Sequence, residues 1–334
     1  IPFCFLLPVG AGFDETAHLT RAIEISTRQL LPNHTLNKQP LVPLVINEVT
    51  YRSKNFYTPV SPSFFDNYKN RKIDWDIVFP KTTYSVYFPI LYFPQAAIIY
   101  LARRLDWSVL ALYYLCRLAE CAGYILLCFF AIRLVPFGKW ILALLALAPT
   151  AVLQAASIST DPYSNGSAFL FVGWVLSLAY QEGPLTRRQI GLTLFTILLL
   201  FSAKVNAAAL VLLLLLLPKS KFPNPRNYYF FLAAAACLFL VVVIAWNGYV
   251  SLDFRTDRAD RGIWKQTAYI ASDPVRFAGL FFSDIFKNGR AYISQWIAVN
   301  PNFVGAVPPV VYPLYAGFLA LTWLTDIPDR PVPR

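Results

Sequence analysis

Charged residues are scarce in this chain. Asp, Glu, Lys and Arg together make up 14% of its 334 residues, whereas a typical soluble domain has about 25%. Hydrophobic residues make up 57%, and the mean hydropathy is +0.50. This balance argues against an ordinary soluble globular protein and predicts an all-α protein that crosses the membrane several times.

Methionine is absent, and the sequence begins with Ile1 inside an apolar run. We therefore expect the chain to be part of a longer protein whose first span is truncated. The cysteines are also few, and they lie in apolar segments without the loop spacing of a disulfide framework or a zinc site. We expect all of them to be small buried hydrophobic residues. They are Cys4, Cys116, Cys121, Cys128 and Cys237.

Acidic residues are the scarcer charged type, 18 against 29 basic residues, which gives a net charge of +11. In a soluble protein this excess suggests nucleic-acid binding. No basic-aromatic groove pattern accompanies it here, so we expect no nucleic-acid partner. Basic residues in the short loops of a membrane protein instead fix its orientation, and membrane lipids are the expected surroundings.

Long apolar runs divide the chain, since a spanning helix needs about 20 apolar residues. We predict six segments: a truncated first span at 1–10, a folded external loop at 11–84, an interfacial or re-entrant helix at 85–107, a transmembrane bundle at 108–250, a second external loop at 251–308, and a last span with a cytoplasmic end at 309–334. The complete spans are expected at about 110–132, 140–157, 166–181, 190–203, 205–217, 228–250 and 309–325.

Three short loops are basic, and they follow alternate spans: "RLVPFGK", "QEGPLTRRQ" and "PKSKFPNPRN". The positive-inside rule places them in the cytoplasm. The first loop, "SISTDPYSNG", the turn at Lys204 and the segment 251–308 then lie on the opposite side. A full span over 85–107 is the competing interpretation, and it would invert this orientation.

Ionisable residues gather just after the first apolar run, in "GAGFDETAHLTRAIEIS". Asp14 is predicted to cap the following helix with its side chain. His18 and Arg21 come four and seven residues later and so share its helical face, with Glu15 beside it. The alternative is a capped helix with a solvated charged face.

Two further positions lie on the same predicted side. Asp161 precedes a proline in "SISTDPYSNG", which favours a turn. Lys204 separates two apolar runs. A lysine inside the membrane is energetically costly, so we take Lys204 as a candidate functional residue. The alternatives are a plain capping role for Asp161 and snorkelling of Lys204 to the headgroups. Arg117 and Glu120, three residues apart, are expected to pair with each other.

These charges would meet at one membrane surface above an apolar bundle. A carboxylate can deprotonate a hydroxyl as general base, and a cation can stabilise a departing phosphate. The arrangement suits an enzyme whose substrate has a polar head and a long lipid tail.

Several motifs together resemble the membrane protein family called domain of unknown function 2142 (DUF2142). They are "G-x-D-E-x-A-H-x-x-R", "YFPILYFPQA", "RLAECAG", "ALAPTAVLQAASISTD" and "FSAKVNAAAL", in order over about 10–217. That family is similar to the GT-C glycosyltransferases. The resemblance implies a GT-C-like helix bundle with a large first external loop, interfacial helices and a polyprenyl-phosphate sugar donor.

The resemblance also implies roles for single residues. Asp14 matches the acidic residue that opens the first loop and is expected as the base, with Glu15 as its catalytic neighbour. Lys204 matches the lysine expected near the donor phosphate, and Asp161 matches the acidic residue of the second external loop.

His18 and Arg21 complete the motif and are expected to bind substrate, as are Asp161 and Lys204. Metal dependence is left open. A divalent cation, Mg or Mn, would be held by Asp14, Glu15 and Asp161, and no other cofactor is expected.

The expected function is transfer of a sugar from a polyprenyl-phosphate carrier to an acceptor hydroxyl of a lipid-linked or cell-surface glycan, with inversion, on the extracytoplasmic face of the cell membrane. One alternative is a transporter or flippase for a lipid-linked sugar, which predicts buried charges at mid-depth of several spans. The other is a non-catalytic subunit of a cell-envelope polysaccharide assembly complex.

Overall fold

The computed structural model describes residues 1–12, 14–31, 41–53, 62–80, 87–202, 204–250, 263–298 and 308–326. Helices dominate these residues, and the sheet found among them has two strands. The all-α class predicted from the composition is therefore confirmed.

The α-helices, in chain order, are α1 (Pro2–Leu6), α2 (Glu15–Ser26), α3 (Leu44–Ser53), α4 (Pro62–Tyr68), α5 (Phe93–Leu105), α6 (Val109–Leu134), α7 (Lys139–Ala146), α8 (Pro149–Ala155), α9 (Asp161–Tyr180), α10 (Arg187–Ser202), α11 (Pro225–Leu238), α12 (Trp246–Val250), α13 (Ile263–Ser272), α14 (Pro274–Ile297) and α15 (Val311–Thr325). Segments of 3-10 helix lie at Pro89–Tyr92, Val205–Leu216 and Lys219–Lys221, and a π-helical segment lies at Phe239–Ala245. Strands β1 (Leu41–Pro43) and β2 (Val78–Pro80) pair antiparallel.

The chain between α1 and α5 contains a folded layer of helices with the small sheet. Leu19 of α2 and Ile46 of α3 are fully buried in the same core as Tyr113 of α6. The hydroxyl groups of Tyr113 and Thr50 lie 2.6 Å apart. These contacts tie the layer to the beginning of α6.

Helix α5 is short for a span. Its 13 residues extend about 20 Å, against about 30 Å for the hydrocarbon core of a bilayer. Pro89 opens the preceding 3-10 turn, and Pro94 lies in the first turn of α5, where a missing N–H disrupts no helical bond. This length agrees with the interfacial interpretation of 85–107, whose placement relative to a membrane stays a prediction.

Helices α6 and α9 approach each other closely at two glycines. A Cβ on Gly173 would lie 2.7 Å from the carbonyl oxygen of Ala131, and one on Gly166 would lie 2.9 Å from Cβ of Leu127. Larger residues would push the two helices apart, because closely packed interiors resist added volume. This contact holds α9, and with it Asp161, in a fixed position against α6.

The span predicted at 140–157 is broken between α7 and α8. Pro149 starts α8, and the preceding Ala148 is extended (φ −52°, ψ 135°), as expected because the proline ring disfavours the helical region for the residue before it. The beginning of α9 also differs from the prediction. Asp161 is the first residue of the helix, since Pro162 fits its first turn, so the expected Asp-Pro turn is wrong.

The predicted break at Lys204 is confirmed. Helix α10 ends at Ser202, and Lys204 has extended backbone angles (φ −79°, ψ 141°). The helix that follows, Val205–Leu216, is 3-10 and not α. Because a 3-10 helix rises about 2.0 Å per residue, its 12 residues reach about 24 Å, where an α-helix would reach about 18 Å.

The spans predicted at 228–250 and 309–325 correspond to a continuous helical stretch, Pro225–Val250, and to α15. A π-helical segment interrupts the first of these, which the hydropathy did not predict. Helix α15 runs antiparallel to α7. The Asp326 carboxylate accepts the Trp140 amide at 3.1 Å, and the Tyr315 hydroxyl donates to the Leu144 carbonyl at 2.8 Å.

Within the described residues, two helical stretches are long and apolar enough to cross a membrane, Val109–Leu134 and Pro225–Val250. Two shorter apolar helices are Asn206–Leu216 and Val311–Thr325. The full number of spans and the six-segment division stay predictions. Four of the cysteines are buried as expected, but Cys237 is exposed on α11, so the expectation is wrong there.

Candidate functional site

Glu15 and Arg117 form a buried ion pair where α2 meets α6. Both side chains are 0% exposed, and Nε and one Nη of Arg117 each lie 2.7 Å from a different carboxylate oxygen of Glu15. The same carboxylate accepts the backbone amides of Gly12 at 3.2 Å and Ile158 at 3.1 Å. Both oxygens are thus occupied, which supports a structural role for Glu15 and gives no support to the predicted catalytic one.

Arg117 also binds the end of α1. Its terminal nitrogens donate to the carbonyl oxygens of Cys4, Leu7 and Pro8 at 3.1, 2.6 and 2.8 Å. A cation is favourable beside the unpaired carbonyls of a helix C-terminus. Arg117 therefore joins α1, α2 and α6 at one point.

The predicted pair between Arg117 and Glu120 is wrong. Arg117 is held by Glu15 and the α1 carbonyls, which satisfy its fork of N–H groups better than one carboxylate can. Glu120 instead accepts a hydrogen bond from the side-chain amide of Gln95, and both of these side chains are buried.

Arg21 is likewise buried and faces the end of its own helix. Its guanidinium donates to Glu24 at 3.0 Å and to the carbonyl oxygens of Gln29 and Leu30 at 3.4 and 2.6 Å. This position closes the C-terminal end of α2. The predicted substrate-binding role of Arg21 has no support in these contacts, and the alternative of a solvated charged face is wrong for α2.

Asp14 occupies the N-cap position of α2, but its side chain makes no capping hydrogen bond. Side-chain caps require an extended backbone, whereas Asp14 is in the left-handed region (φ 53°, ψ 18°). Its backbone carbonyl accepts the amides of Ala17 and His18 instead. The predicted side-chain cap is therefore wrong, and the exposed carboxylate is not used by the helix.

His18, four residues after Asp14, is 4% exposed. Its Nδ1 is 2.9 Å from the hydroxyl of Tyr92. Burial lowers the pKa of His18 from 6.5 to about 4, although the negative charges of Asp161 and Asp14 act in the opposite direction. The imidazole is thus neutral near pH 7 and close to both carboxylates, in a position that suits support of the site more than direct contact with a substrate.

Asp161 and Lys204 form an ion pair beside His18. The Lys204 amine lies 2.8 Å from one Asp161 oxygen, and Gln154 donates to the other oxygen at 2.8 Å. The Asp161 side chain is 20% exposed and the Lys204 side chain is 45% exposed. The positive charge of Lys204 also acts on His18, as do the negative charges of Asp161 and Asp14.

The charges of Asp14, Asp161 and Lys204 therefore all act on His18, whereas Glu15 and Arg21 have ion-pair partners inside the protein. The predicted roles of these residues stay predictions. Sequence reasoning missed Gln154, Tyr92 and Tyr87, whose ring centroid lies 5.6 Å from that of His18. All three lie in the motifs "YFPILYFPQA" and "ALAPTAVLQAASISTD", and this position in a family motif is the sequence feature that could have identified them.

A divalent cation finds few ligands in this arrangement. Of the three carboxylates expected to bind it, Glu15 is fully used by Arg117. No group of three His, Cys, Asp or Glu side chains suited to a metal occurs within the part of the chain that the structure describes. The cation stays a prediction.

Comparison with known proteins gives one match. A family model described as "Predicted membrane protein (DUF2142)" matches residues 1–325. The chain belongs to the DUF2142 family. Neither the curated proteins nor the solved structures contain a match to it.

For this DUF2142 protein, membership confirms the family named from the motifs and its membrane character. The family description assigns no activity. The candidate chemical groups are side chains of α2 and its N-cap, of the beginning of α9 and of the break after α10.

Proposed function

We propose that this DUF2142 protein is a membrane glycosyltransferase with a GT-C-like bundle. It moves a sugar from a polyprenyl phosphate to an acceptor hydroxyl of a lipid-linked or cell-surface glycan. The observation that carries the proposal is that an exposed carboxylate, Asp14, and an accessible cation, Lys204, both act through their charges on one buried histidine. A transfer of this kind needs one base and one phosphate-binding group.

Asp14 is the base. It takes the proton of the acceptor hydroxyl as the oxygen attacks the anomeric carbon. The bond from that carbon to the phosphate oxygen breaks, and its electron pair leaves with the polyprenyl phosphate. Attack from the side opposite the leaving group inverts the configuration of the sugar.

The other candidates for the base fit less well. Glu15 is bound to Arg117 through both oxygens. His18 is almost fully buried, and its Nδ1 is engaged by Tyr92. Asp14 is exposed and free of the helix cap, so it alone among these three presents its ionisable atoms outward.

Lys204 is the group that receives the phosphate. Its amine pairs with Asp161, which Gln154 also holds from the other side. Asp161 therefore keeps a partner when Lys204 turns to the phosphate. Positive charge beside the departing group lowers the barrier because it stabilises the negative charge that develops there.

The proposed orientation places the site on the extracytoplasmic face of the cell membrane. Asp161 begins α9, and Lys221 donates to carbonyls at the other end of that helix, including those of Leu178 and Gln181. The 20 residues of α9 separate these ends by about 30 Å, the thickness of the hydrocarbon core. The basic residues near Lys221 then face the cytoplasm.

The test uses purified full-length protein and a panel of synthetic polyprenyl-phosphate sugars, with release of polyprenyl phosphate as the readout. Asp14→Asn should lower turnover about 10²–10⁴-fold, the usual contribution of a positioned base, with donor binding retained. Asp66→Asn is the matched control, because Asp66 is an exposed carboxylate of α4 paired only to the neighbouring Lys69 among the described residues. Turnover that survives Asp14→Asn would refute the assignment of the base.

The transporter alternative predicts charges at mid-depth of several spans. Among the described residues, Arg117 and Glu120 are the buried charged side chains of the bundle, both are on α6, and both have partners inside the protein. This distribution favours the enzyme. Donor binding without turnover in wild-type protein across the whole panel would favour the transporter or the non-catalytic subunit.

A further inference from the structure

Helix α14 is amphipathic, and its apolar face is uncovered. The helix has 24 residues, and its large side chains project from the protein, with Phe286 87% exposed. At the spacing of an α-helix, one face carries mainly aromatic and aliphatic residues. They are Phe281, Phe282, Ile285, Phe286, Tyr292, Ile293 and Trp296.

The opposite face of α14 is basic. Arg276, Lys287 and Arg290 lie on it, with Asp284 as the acidic residue of the helix. The helix is about 36 Å long, enough to cross a bilayer. Four charges spread along its length make a spanning position costly, so length alone does not make it a span.

The C-terminal end of α14 is fixed to the bundle. Ile297 is buried, and the ring of Trp296 packs against Tyr315 near the beginning of α15, with centroids 6.0 Å apart. The Gln295 carbonyl accepts the hydroxyl of Thr150 on α8 at 3.1 Å. The rest of the helix extends from this attachment with both faces exposed.

We infer that α14 lies in the plane of the membrane surface, with its apolar face in the outer part of the acyl chains and its basic face among anionic lipid headgroups. Aromatic side chains on one face and Lys and Arg on the other are the pattern of interfacial helices. Membership of a membrane protein family indicates that the chain is embedded in a bilayer. The contact of α14 with the beginning of α15 holds α14 near the surface of that bilayer. Three positive charges against one select anionic lipids, and none of this depends on the proposed transferase activity.

The test places a nitroxide spin label on each face of α14 in the full-length protein in lipid nanodiscs. Ile285→Cys and Lys287→Cys are two residues apart and point about 160° away from each other. Cys237→Ser removes the exposed native thiol, and the Cys237→Ser protein without an introduced cysteine, treated with the same label, corrects for labelling of the four buried cysteines. Collision rates are measured with oxygen, which enters lipid, and with a water-soluble nickel complex.

In nanodiscs with anionic lipid, the label at 285 should collide mainly with oxygen and the label at 287 mainly with nickel. Lys287→Glu combined with Arg290→Glu should lower the equilibrium constant for partitioning of the helix from water into the membrane surface about fivefold for each basic charge removed. The label at position 285 reports this change. Equal nickel access at 285 and 287 would overturn the inference. Shielding of position 285 from both reagents would also overturn it, because a second copy or another protein would then cover the face. The same oxygen preference in purely zwitterionic discs would overturn the selection of anionic lipids.

Discussion

The neighbouring carboxylates Asp14 and Glu15 should respond to mutation in opposite ways. Glu15→Gln keeps the shape of the side chain and removes its charge. It leaves the guanidinium of Arg117 buried without an anion, although the three α1 carbonyls still accept from it. Removing one partner of a buried pair costs about 3–5 kcal/mol of unfolding free energy, because the other charge stays desolvated.

Asp14→Asn should change the unfolding free energy by less than about 0.5 kcal/mol, since the side chain is exposed and makes no capping bond. The unfolding free energy is measured by equilibrium unfolding in mixed micelles. Donor binding and turnover are measured on the same variants. Glu15→Gln is expected to lower stability, and Asp14→Asn is expected to lower turnover about 10²–10⁴-fold in a protein of normal stability.

A double-mutant cycle isolates the pair. Arg117→Met alone leaves Glu15 buried with two backbone donors and no cation. The double variant Glu15→Gln with Arg117→Met should be more stable than the sum of the single effects, with a coupling energy of at least about 1 kcal/mol. Additive effects, or a cost below about 1 kcal/mol for Glu15→Gln, would refute the scaffold role of this pair.

Three further predictions concern His18, Lys204 and the α6–α9 contact. The folded-state pKa of His18 is lowered from 6.5 to about 4, so the unfolded chain binds more protons than the folded protein between these pH values. The contribution of His18 to the unfolding free energy should be complete above pH 6.5 and fall by about 3 kcal/mol as the pH drops to 4. His18→Phe should remove this pH dependence from acid-unfolding curves. Lys204→Met should lower kcat for polyprenyl phosphate release about 10²–10³-fold, and Lys204→Arg should lower it less. An equal decrease of kcat in both variants would indicate a structural role for the lysine. Gly173→Ala should destabilise by about 1–3 kcal/mol in unfolding experiments, because its Cβ would meet the Ala131 carbonyl at 2.7 Å, whereas Gly191→Ala, which meets nothing within 4 Å, should be neutral or stabilising.

Hydropathy along the sequence determined the all-α class and most helix positions. It located α6, α10, α11 and α15 because apolar runs are a local, one-dimensional signal. It also predicted the break at Lys204, since a charged amine inside an apolar run is costly wherever the segment packs. The alternation of spans was enough to expect Asp14, Asp161 and Lys204 at one end of the bundle.

The hydropathy pattern did not contain the backbone details of these helices. Pro149 and Pro162 each lie in the first turn of a helix, but Pro149 falls inside a predicted span and divides it, whereas Pro162 falls before one. A proline interrupts a helix only where an amide and a carbonyl must pair across it. Whether that is so depends on where each helix begins, and hydropathy does not fix that point.

The roles of neighbouring charged residues were decided by the tertiary structure alone. Arg117 has a carboxylate three residues away in Glu120, yet it binds Glu15, 102 positions distant in sequence. That choice follows from α1, α2 and α6 meeting at one point, where carbonyls and a carboxylate together satisfy the whole guanidinium. The same packing buries Arg21 and leaves Asp14 exposed, and no spacing rule within α2 could have distinguished these two residues, because sequence spacing defines a helical face but not what lies against it.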